Sequence, residues 1–236
     1  MHLNKSFGIQ RVLNDINLDI ASGEILVVMG ESGSGKTVFL QHLIGLLKPD
    51  TGAIEIDGQN IIPLTEKELL KIRKGIGYLF QEGALYDFMT VFENLSFPLQ
   101  EHTKLTNHQI REKVKEIISV VGLKGAEEKY PSQLSGGMKK RAALARAIIL
   151  DSKILLCDEP TSGLDPQRSR DISDLILGIS RKFSSTTVVT SHDITNSFRI
   201  ADRLALIKDG QIIALGTKKE LESSEDQEIK RFLLKI

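Results

Sequence analysis

The octapeptide GESGSGKT, Gly30 to Thr37, restricts the possible fold more than any other feature of this sequence. It matches the pattern G-x-x-x-x-G-K-[ST], follows the apolar run ILVVM and precedes VFLQHLIGLL, which is typical of a helix. A glycine-rich loop between a strand and a helix lets backbone N–H groups converge on phosphate oxygens. Lys36 then reaches the β- and γ-phosphates, and the Thr37 hydroxyl can hold Mg²⁺. The loop predicts an α/β unit that binds a nucleoside triphosphate.

Composition limits the partners. The chain has 236 residues, and 41% of them are hydrophobic, which is enough for a sizeable core. Its 31 basic and 31 acidic residues balance, so no global field attracts nucleic acid or anionic lipid, and no nucleic-acid partner is expected. No stretch approaches the ~20 apolar residues that span a bilayer, and the N-terminus lacks the apolar run of a signal peptide. The single cysteine, Cys157, lies among apolar neighbours and predicts a buried thiol in the cytosol.

Strand and helix patterns divide the chain into three segments. Strand patterns, including AIEIDGQNI and IGYLFQ, are confined to residues 1–83 and 152–236, whereas residues 84–151 carry apolar positions at helical spacing. Each DG dipeptide within a strand-like stretch predicts a hairpin turn. We therefore expect an α/β core with a small antiparallel sheet and a helical subdomain.

Polar residues that follow predicted strands are candidates for chemistry. In ILLCDEP an apolar strand ends in Asp158, which can hold the hydration shell of Mg²⁺, and Glu159 follows at once. Because neighbouring strand residues point in different directions, the two carboxylates should have different roles, and we expect Glu159 to act as general base toward the attacking water. His192 and Gln81 also follow strands, but neither is informative by itself.

A second anion cradle is predicted in LSGGMKKRAALARAI, Leu134 to Ile148. There the turn Ser135-Gly136-Gly137 leads directly into a helix, whose N-terminus attracts anions. The basic run Lys139 to Arg141 is typical of a solvated helix face rather than of a nucleic-acid site.

Together these residues resemble the ATP-binding cassette (ABC) ATPases in order and spacing over nearly the whole chain. GESGSGKT looks like the Walker A loop, ILLCDE like the Walker B strand with its catalytic glutamate, and LSGGM like the signature motif. Gln81 matches the Q-loop, SGLD up to Asp165 the D-loop, and His192 the switch histidine. The resemblance implies a single ABC ATPase domain, an α/β P-loop NTPase with a RecA-like core, an antiparallel β-subdomain and a helical subdomain.

The resemblance also implies an ATPase that uses ATP and Mg²⁺. The implied site residues are Lys36, Gln81, Glu159 and His192 for catalysis; Thr37, Gln81 and Asp158 for the metal; and Phe7, Gly30, Glu31, Ser32, Gly33, Ser34, Gly35, Lys36, Thr37, Ser135, Gly136, Gly137 and Asp165 for the nucleotide.

The second cradle has a use in this family. One cassette binds one γ-phosphate in its own glycine-rich loop, so its signature turn is not needed to bind that phosphate. The resemblance implies a head-to-tail homodimer in which each turn caps the γ-phosphate held by the other copy. Integral membrane permease subunits, received by a groove near residues 85–99, would alternate as the dimer opens and closes.

Several stretches are also similar to the ATPases of bacterial Mla/MCE-type lipid transporters, above all FQEGALYDFMTVFENLSFPLQEH, which lies where such subunits meet their permease. This similarity implies phospholipid transport, an MCE-domain partner and a peripheral location at the cytoplasmic face of the inner membrane. The alternatives are a cassette for another cargo, such as lipoproteins or amino acids, a soluble cassette acting on DNA or ribosomes, and a cassette that binds ATP without hydrolysing it. The last two are disfavoured, because the chain has neither a second cassette nor a long coiled-coil insertion and its hydrolysis residues are complete.

Three positions depart from the family pattern. Val38 replaces a hydroxyl that touches the α-phosphate in many members, a loss of about 1 kcal/mol. Met138 replaces the common Gln, as in the lipid-transport branch. Few residues precede Phe7, so either the first strand is short or the sequence lacks its true start.

Overall fold

The structure, a computed structural model, describes residues 2–235. The strands are β1 (Leu3–Phe7), β2 (Gln10–Ile16), β3 (Ile25–Met29), β4 (Glu55–Ile56), β5 (Gln59–Asn60), β6 (Ile76–Leu79), β7 (Ile154–Asp158), β8 (Thr186–Ser191), β9 (Arg203–Lys208) and β10 (Gln211–Gly216). The helices are α1 (Lys36–Leu43), α2 (Glu66–Arg73), α3 (Val91–His102), α4 (Asn107–Val120), α5 (Gly136–Ile148), α6 (Pro166–Phe183), α7 (Ile194–Ile200), α8 (Lys218–Glu222) and α9 (Gln227–Lys235).

Contacts between residues group the chain into two compact units. Unit 1 comprises Met1–Arg73 and Thr186–Ile236, and unit 2 comprises Lys74–Ser185. These units are defined by how compactly the chain is folded, whereas the three segments expected from the sequence are defined by strand and helix patterns. The division into three segments therefore stays a prediction.

The sheet of unit 1 is built around β3. Every residue of β3 is buried, which explains why its sequence, ILVVM, is a continuous apolar run without alternation. β3 pairs in parallel with β8 on one side and β9 on the other, and β10 pairs antiparallel with β9. The segments after β3 and β8 therefore leave the same edge of this sheet.

Both DG hairpins are confirmed in unit 1. The β4–β5 turn contains Asp57 and Gly58 at φ 51° and 77°, and the β9–β10 turn contains Asp209 and Gly210 at φ 47° and 73°. Two successive left-handed residues match the right-handed twist of a hairpin, and Asp-Gly accepts that conformation readily. A further hairpin, β1–β2, pairs antiparallel at the start of the chain.

Unit 2 contains the parallel pair β6–β7 and the predicted helical stretch. Within the described chain, residues 84–151 contain helices and no strand, as the sequence predicts. Capping boxes begin two of the helices: Thr90 with Glu93 at α3, and Thr106 with Gln109 at α4. Helix α6 buries Ile172, Ile176 and Ile179, which share one face at helical spacing.

Candidate nucleotide-binding and hydrolysis site

The glycine-rich loop leaves β3 at Gly30 and enters α1 at Lys36, so the predicted strand–loop–helix order is confirmed. Gly35, the residue before α1, has φ 99°, and a Cβ on it would lie 2.8 Å from the Val12 carbonyl oxygen. A Cβ on Gly30 would lie 2.7 Å from the Ile207 carbonyl oxygen. Side chains at these two positions would either strain the backbone or push neighbouring backbone away, so the loop conformation depends on glycine.

The interior of this loop suits an anion. The buried Lys36 ammonium folds back and donates to the carbonyl oxygens of Gly30 at 2.8 Å and Glu31 at 3.0 Å. The buried Ser34 hydroxyl has no hydrogen-bond partner. Thr37 is partly buried in the first turn of α1. A buried cation beside an unused hydroxyl fits the phosphate chain that the sequence predicts. The loop residues that are exposed are Glu31, Ser32 and Gly33.

His192 emerges beside the start of the loop. Met29 and Ser191 are register partners at the ends of β3 and β8, and Gly30 N donates to the Ser191 carbonyl oxygen at 3.3 Å. His192 is the next residue and is exposed. The structure thus brings Gly30 and His192 to equivalent positions on neighbouring strands, where α/β sheets collect ligand contacts.

Phe7 lies at the end of β1, just before the hairpin turn, and is 48% exposed. The Lys5 ammonium lies 5.4 Å from the centre of its ring. The second strand of this hairpin contacts the glycine-rich loop, since Val12 is the close neighbour of Gly35. An exposed ring on this hairpin is available for stacking on a base.

In unit 2, Gln81 and the two carboxylates lie at or just beyond the ends of neighbouring strands. Leu79 and Cys157 are register partners in the parallel pair β6–β7, so Gln81 and Glu159 stand two residues beyond the same register position. Asp158 and Glu159 are both buried, whereas Gln81 is exposed, with its amide nitrogen 3.5 Å from a serine hydroxyl of the D-loop. The structure therefore brings these predicted residues to one edge of the strand pair.

Glu159 also has an unusual backbone. Its φ is 44°, in the left-handed region that non-glycine residues avoid at a cost of about 1–2 kcal/mol. This conformation ends β7 directly after Asp158 and redirects the chain. Strain of this kind persists where the surrounding structure enforces it, and it is concentrated at functional sites.

The surroundings of Asp158 suit a hydrated cation. The Tyr78 hydroxyl is buried beside the Asp158 carboxylate. Burial, together with the negative charge of Asp158, raises the pKa of Tyr78, so the phenol keeps its proton. Mg²⁺ keeps several of its waters in protein sites, and a buried carboxylate can accept hydrogen bonds from such a water.

The signature turn starts helix α5. Ser135 is the N-cap residue, and its hydroxyl accepts a long hydrogen bond, 3.4 Å, from Met138 N. Ser135 and Gly136 are exposed, whereas Gly137 is buried in the first turn. A helix N-terminus with an exposed Ser-Gly edge can accept an anion.

Asp165 of the D-loop starts helix α6 as its N-cap, accepting from Arg168 N at 3.0 Å. This hydrogen bond is the main cause that lowers the pKa of Asp165. The D-loop lies beside the signature turn, because a Cβ on Gly136 would be 3.5 Å from the Leu164 side chain. A capping role for Asp165 is compatible with a contact to nucleotide, but does not require one.

Comparison with known proteins decides the family. Residues 13–162 match the family described as ABC transporter. The chain belongs to the ABC transporter family. It is an ATP-binding cassette of the ATPase type, and none of its helices in residues 2–235 is long and apolar enough to cross a membrane.

Two relatives show the closeness of the match. The probable ribonucleotide transport ATP-binding protein mkl of Mycobacterium leprae is 45% identical over 231 residues, covering 98% of this cassette and 67% of the relative. MlaF of Haemophilus influenzae, the ATP-binding protein of an intermembrane phospholipid transport system, is 42% identical over 222 residues, covering 94% of this cassette and 84% of the relative. The cassette spans 64% of the length of mkl from Mycobacterium tuberculosis.

A solved structure shows the same fold. The dimeric post-hydrolysis state of the ATP-binding cassette MJ0796, bound to ADP and Pi, matches with a TM-score of 0.85 and 32% identity, covering 92% of this cassette and 96% of that chain. The predicted α/β fold of the ABC ATPase type is confirmed.

One expectation about the signature helix is wrong. Lys139 is exposed, but its neighbour Lys140 is 8% exposed and donates to the Gln81 carbonyl oxygen. The run Lys139 to Arg141 is therefore not a uniformly solvated face. Helical spacing could have indicated that Lys140 is buried, because it lies three and four residues before Ala143 and Leu144, which are both buried.

Proposed function

We propose that two copies of this cassette bind Mg²⁺ and ATP between them, hydrolyse the ATP, and thereby power phospholipid transport by permease subunits in the membrane. The observation that carries the proposal is the anion-suited loop of residues 30–37 in a chain that also has the buried pair Asp158 and Glu159. The proposal includes the division of the chain into residues 1–83, 84–151 and 152–236 that the sequence predicts.

The loop holds the phosphates. The N–H groups of residues 30–37 and the Lys36 ammonium bind the β- and γ-phosphates, and Phe7 stacks on the base. Thr37, Gln81 and Asp158 hold Mg²⁺, directly or through its waters. When bound, the metal neutralises charge on the phosphate oxygens.

Glu159 carries the proton transfer. Its carboxylate accepts a proton from the water that attacks the γ-phosphate, and His192 contacts that phosphate from the end of β8. The fixed backbone at Glu159 supports this role, because a general base must keep its orientation toward the water.

The signature turn acts on the other copy. Ser135, Gly136 and Gly137 cap the γ-phosphate held by the partner, assisted by the positive end of the α5 dipole, and Asp165 borders the same nucleotide. The dimer of MJ0796 bound to ADP and Pi supports this arrangement. ATP then links the copies, and hydrolysis separates them.

An aromatic cluster before α3 suits a permease. Phe88 is 74% exposed, and the Tyr86 ring lies 5.7 Å from the Phe88 ring and 5.6 Å from the Phe97 ring. Asn94 fixes this loop, with its side-chain amide donating to the carbonyl oxygens of Tyr86, Met89 and Thr90. An exposed apolar cluster on a fixed loop supports docking of a permease segment, and with it a peripheral location at the cytoplasmic face of the inner membrane.

The cargo is proposed from the relatives. MlaF supports phospholipid, and the stretch FQEGALYDFMTVFENLSFPLQEH supports both phospholipid and the MCE-domain partner. A second candidate, ribonucleotide, is favoured by the name of mkl. Cassette and permease reconstituted in liposomes, with the cassette outside, separate the two: phospholipid composition should change ATP hydrolysis, whereas a ribonucleotide enclosed in the liposome lumen should not. Stimulation by ribonucleotide alone would support the second candidate.

Glu159→Gln tests the chemistry. We expect ATP to bind with unchanged affinity, a stable ATP-bound dimer to form on size-exclusion chromatography, and hydrolysis to fall by about 100-fold or more. Hydrolysis at the wild-type rate would show that Glu159 is not the general base.

Ser135→Arg tests the contact between copies. We expect it to stop hydrolysis in the assembled complex while the isolated cassette still binds ATP. If the isolated variant no longer binds ATP, the signature turn acts within its own chain and the proposed dimer site is wrong.

A further inference from the structure

Helix α5 contacts the turn that carries Gln81. Lys140 projects from the buried face of α5, and its ammonium donates to the Gln81 carbonyl oxygen. This contact is to backbone, so it restrains the chain at Gln81 while leaving the amide side chain available.

The same helix holds the other end of the turn. Arg146 donates to the Ala84 carbonyl oxygen at 2.7 Å and to the Gly83 carbonyl oxygen at 3.2 Å. Between these anchors, a Cβ on Gly83 would lie 3.2 Å from the Ala143 methyl group, so the turn lies against the helix. Residues 81–84 are therefore fixed to α5 at both ends.

Lys140 also supplies a positive charge to this region. Burial lowers the pKa of Lys140, and attraction to the carboxylates of Glu82, Glu159 and Asp158 opposes that effect. A buried ammonium is unfavourable unless it is hydrogen-bonded and near opposite charge, and here it has both.

We propose that Lys140 is a positioning residue for ATP hydrolysis: it holds the Gln81 turn on the signature helix. The proposal rests on the proposed function, which assigns Gln81 and Glu159 to the site. Lys140 also links the signature turn to the Gln81 turn, because the helix that starts at the signature turn is the helix to which the Gln81 turn is fixed.

Three variants of the full chain test this role. Lys140→Met removes the donor and the charge at similar length, Lys140→Arg keeps both, and Lys139→Met is the exposed control on the same helix. For Lys140→Met we expect kcat for ATP to fall about tenfold, as for loss of a charge-assisted hydrogen bond, with KM changed by less than about threefold. Lys140→Arg should restore kcat to within about threefold, and Lys139→Met should match wild type.

Hydrogen exchange supplies a readout that needs no catalysis. Amide exchange in a peptide spanning residues 80–86 should accelerate in Lys140→Met and stay at the wild-type rate in Lys139→Met. Wild-type kcat and exchange in Lys140→Met would overturn the proposal. So would equal losses of kcat and melting temperature in the Met and Arg variants, because the lysine would then only support folding. Failure of the proposed function would give a different result. The Glu159→Gln variant would still hydrolyse ATP, while amide hydrogen exchange near Gln81 would still accelerate in Lys140→Met.

Discussion

Gly77→Ala tests how closely strand β6 approaches helix α5. A Cβ on Gly77 would lie 2.2 Å from the Ala147 carbonyl oxygen and 3.3 Å from the Ser152 hydroxyl. Ordinary van der Waals contact begins at 3.4 Å, so an added methyl group reaches an unstrained distance only if strand and helix move about 1.2 Å apart. The obstructing atom belongs to the backbone and cannot rotate away.

The expected cost follows from this geometry. Overpacking a tight interior costs about 1–3 kcal/mol, and we expect about 2–3 kcal/mol here because the helix backbone itself must move. For a chain of this length, that lowers the melting temperature by about 4–12 °C. Gly178→Ala is the matched control. Gly178 is exposed in α6 with no atom within 4 Å of an added Cβ, so the same substitution should stabilise the protein by about 0.5–1 kcal/mol.

Urea unfolding followed by circular dichroism measures both changes, and ATP hydrolysis should fall only in Gly77→Ala, since its strand leads to Gln81. The reasoning is refuted if Gly77→Ala unfolds at the same urea concentration as wild type, or if the two alanines shift the midpoint in the same direction.

Three further predictions concern buried side chains. Asn94→Ala removes the side chain that holds the backbone of Tyr86 and Met89, at about 0.5–1.5 kcal/mol for each hydrogen bond lost, so limited proteolysis should cut the loop before α3 faster; unchanged cleavage would contradict this. His42 is fully buried, with Nδ1 2.6 Å from the Val38 carbonyl oxygen, and burial lowers its pKa below the ordinary 6.5. The folded state therefore binds a proton on His42 less readily than the unfolded state does, so the free energy of unfolding should fall as the pH drops through 6.5. The fall should be smaller in His42→Leu, and equal pH slopes in the two proteins would refute the role given to His42. Burial raises the pKa of the Cys157 thiol, so a thiol reagent should label the native protein no faster than it unfolds, and rapid labelling would contradict its burial.

Local chemistry made much of the fold predictable from sequence. The glycine-rich loop and the DG turns require backbone conformations that few other residues adopt, so Gly30 to Thr37 and the turn at Asp209 identify their own structures. The apolar run of β3 likewise predicts a strand covered on both faces.

Contacts between distant segments were not predictable. Nothing near Gln81 in the sequence indicates that β6 and β7 are register partners, because parallel pairing depends on a crossover rather than on adjacent residues. The environment of Lys140 depends on the same kind of contact. A short basic run is usually solvated, and only the position of α5 against the Gln81 turn makes this lysine an interior residue.

The left-handed backbone of Glu159 has a consequence for how this position changes under selection. Its φ of 44° is one that glycine or asparagine adopts more easily than glutamate does. We therefore expect variants selected only for thermal stability to accumulate Gly or Asn at this position, which removes the carboxylate while raising the melting temperature. A library screened for heat tolerance must be counter-screened for turnover, because here the residue that the chemistry needs is not the one that the chain conformation favours.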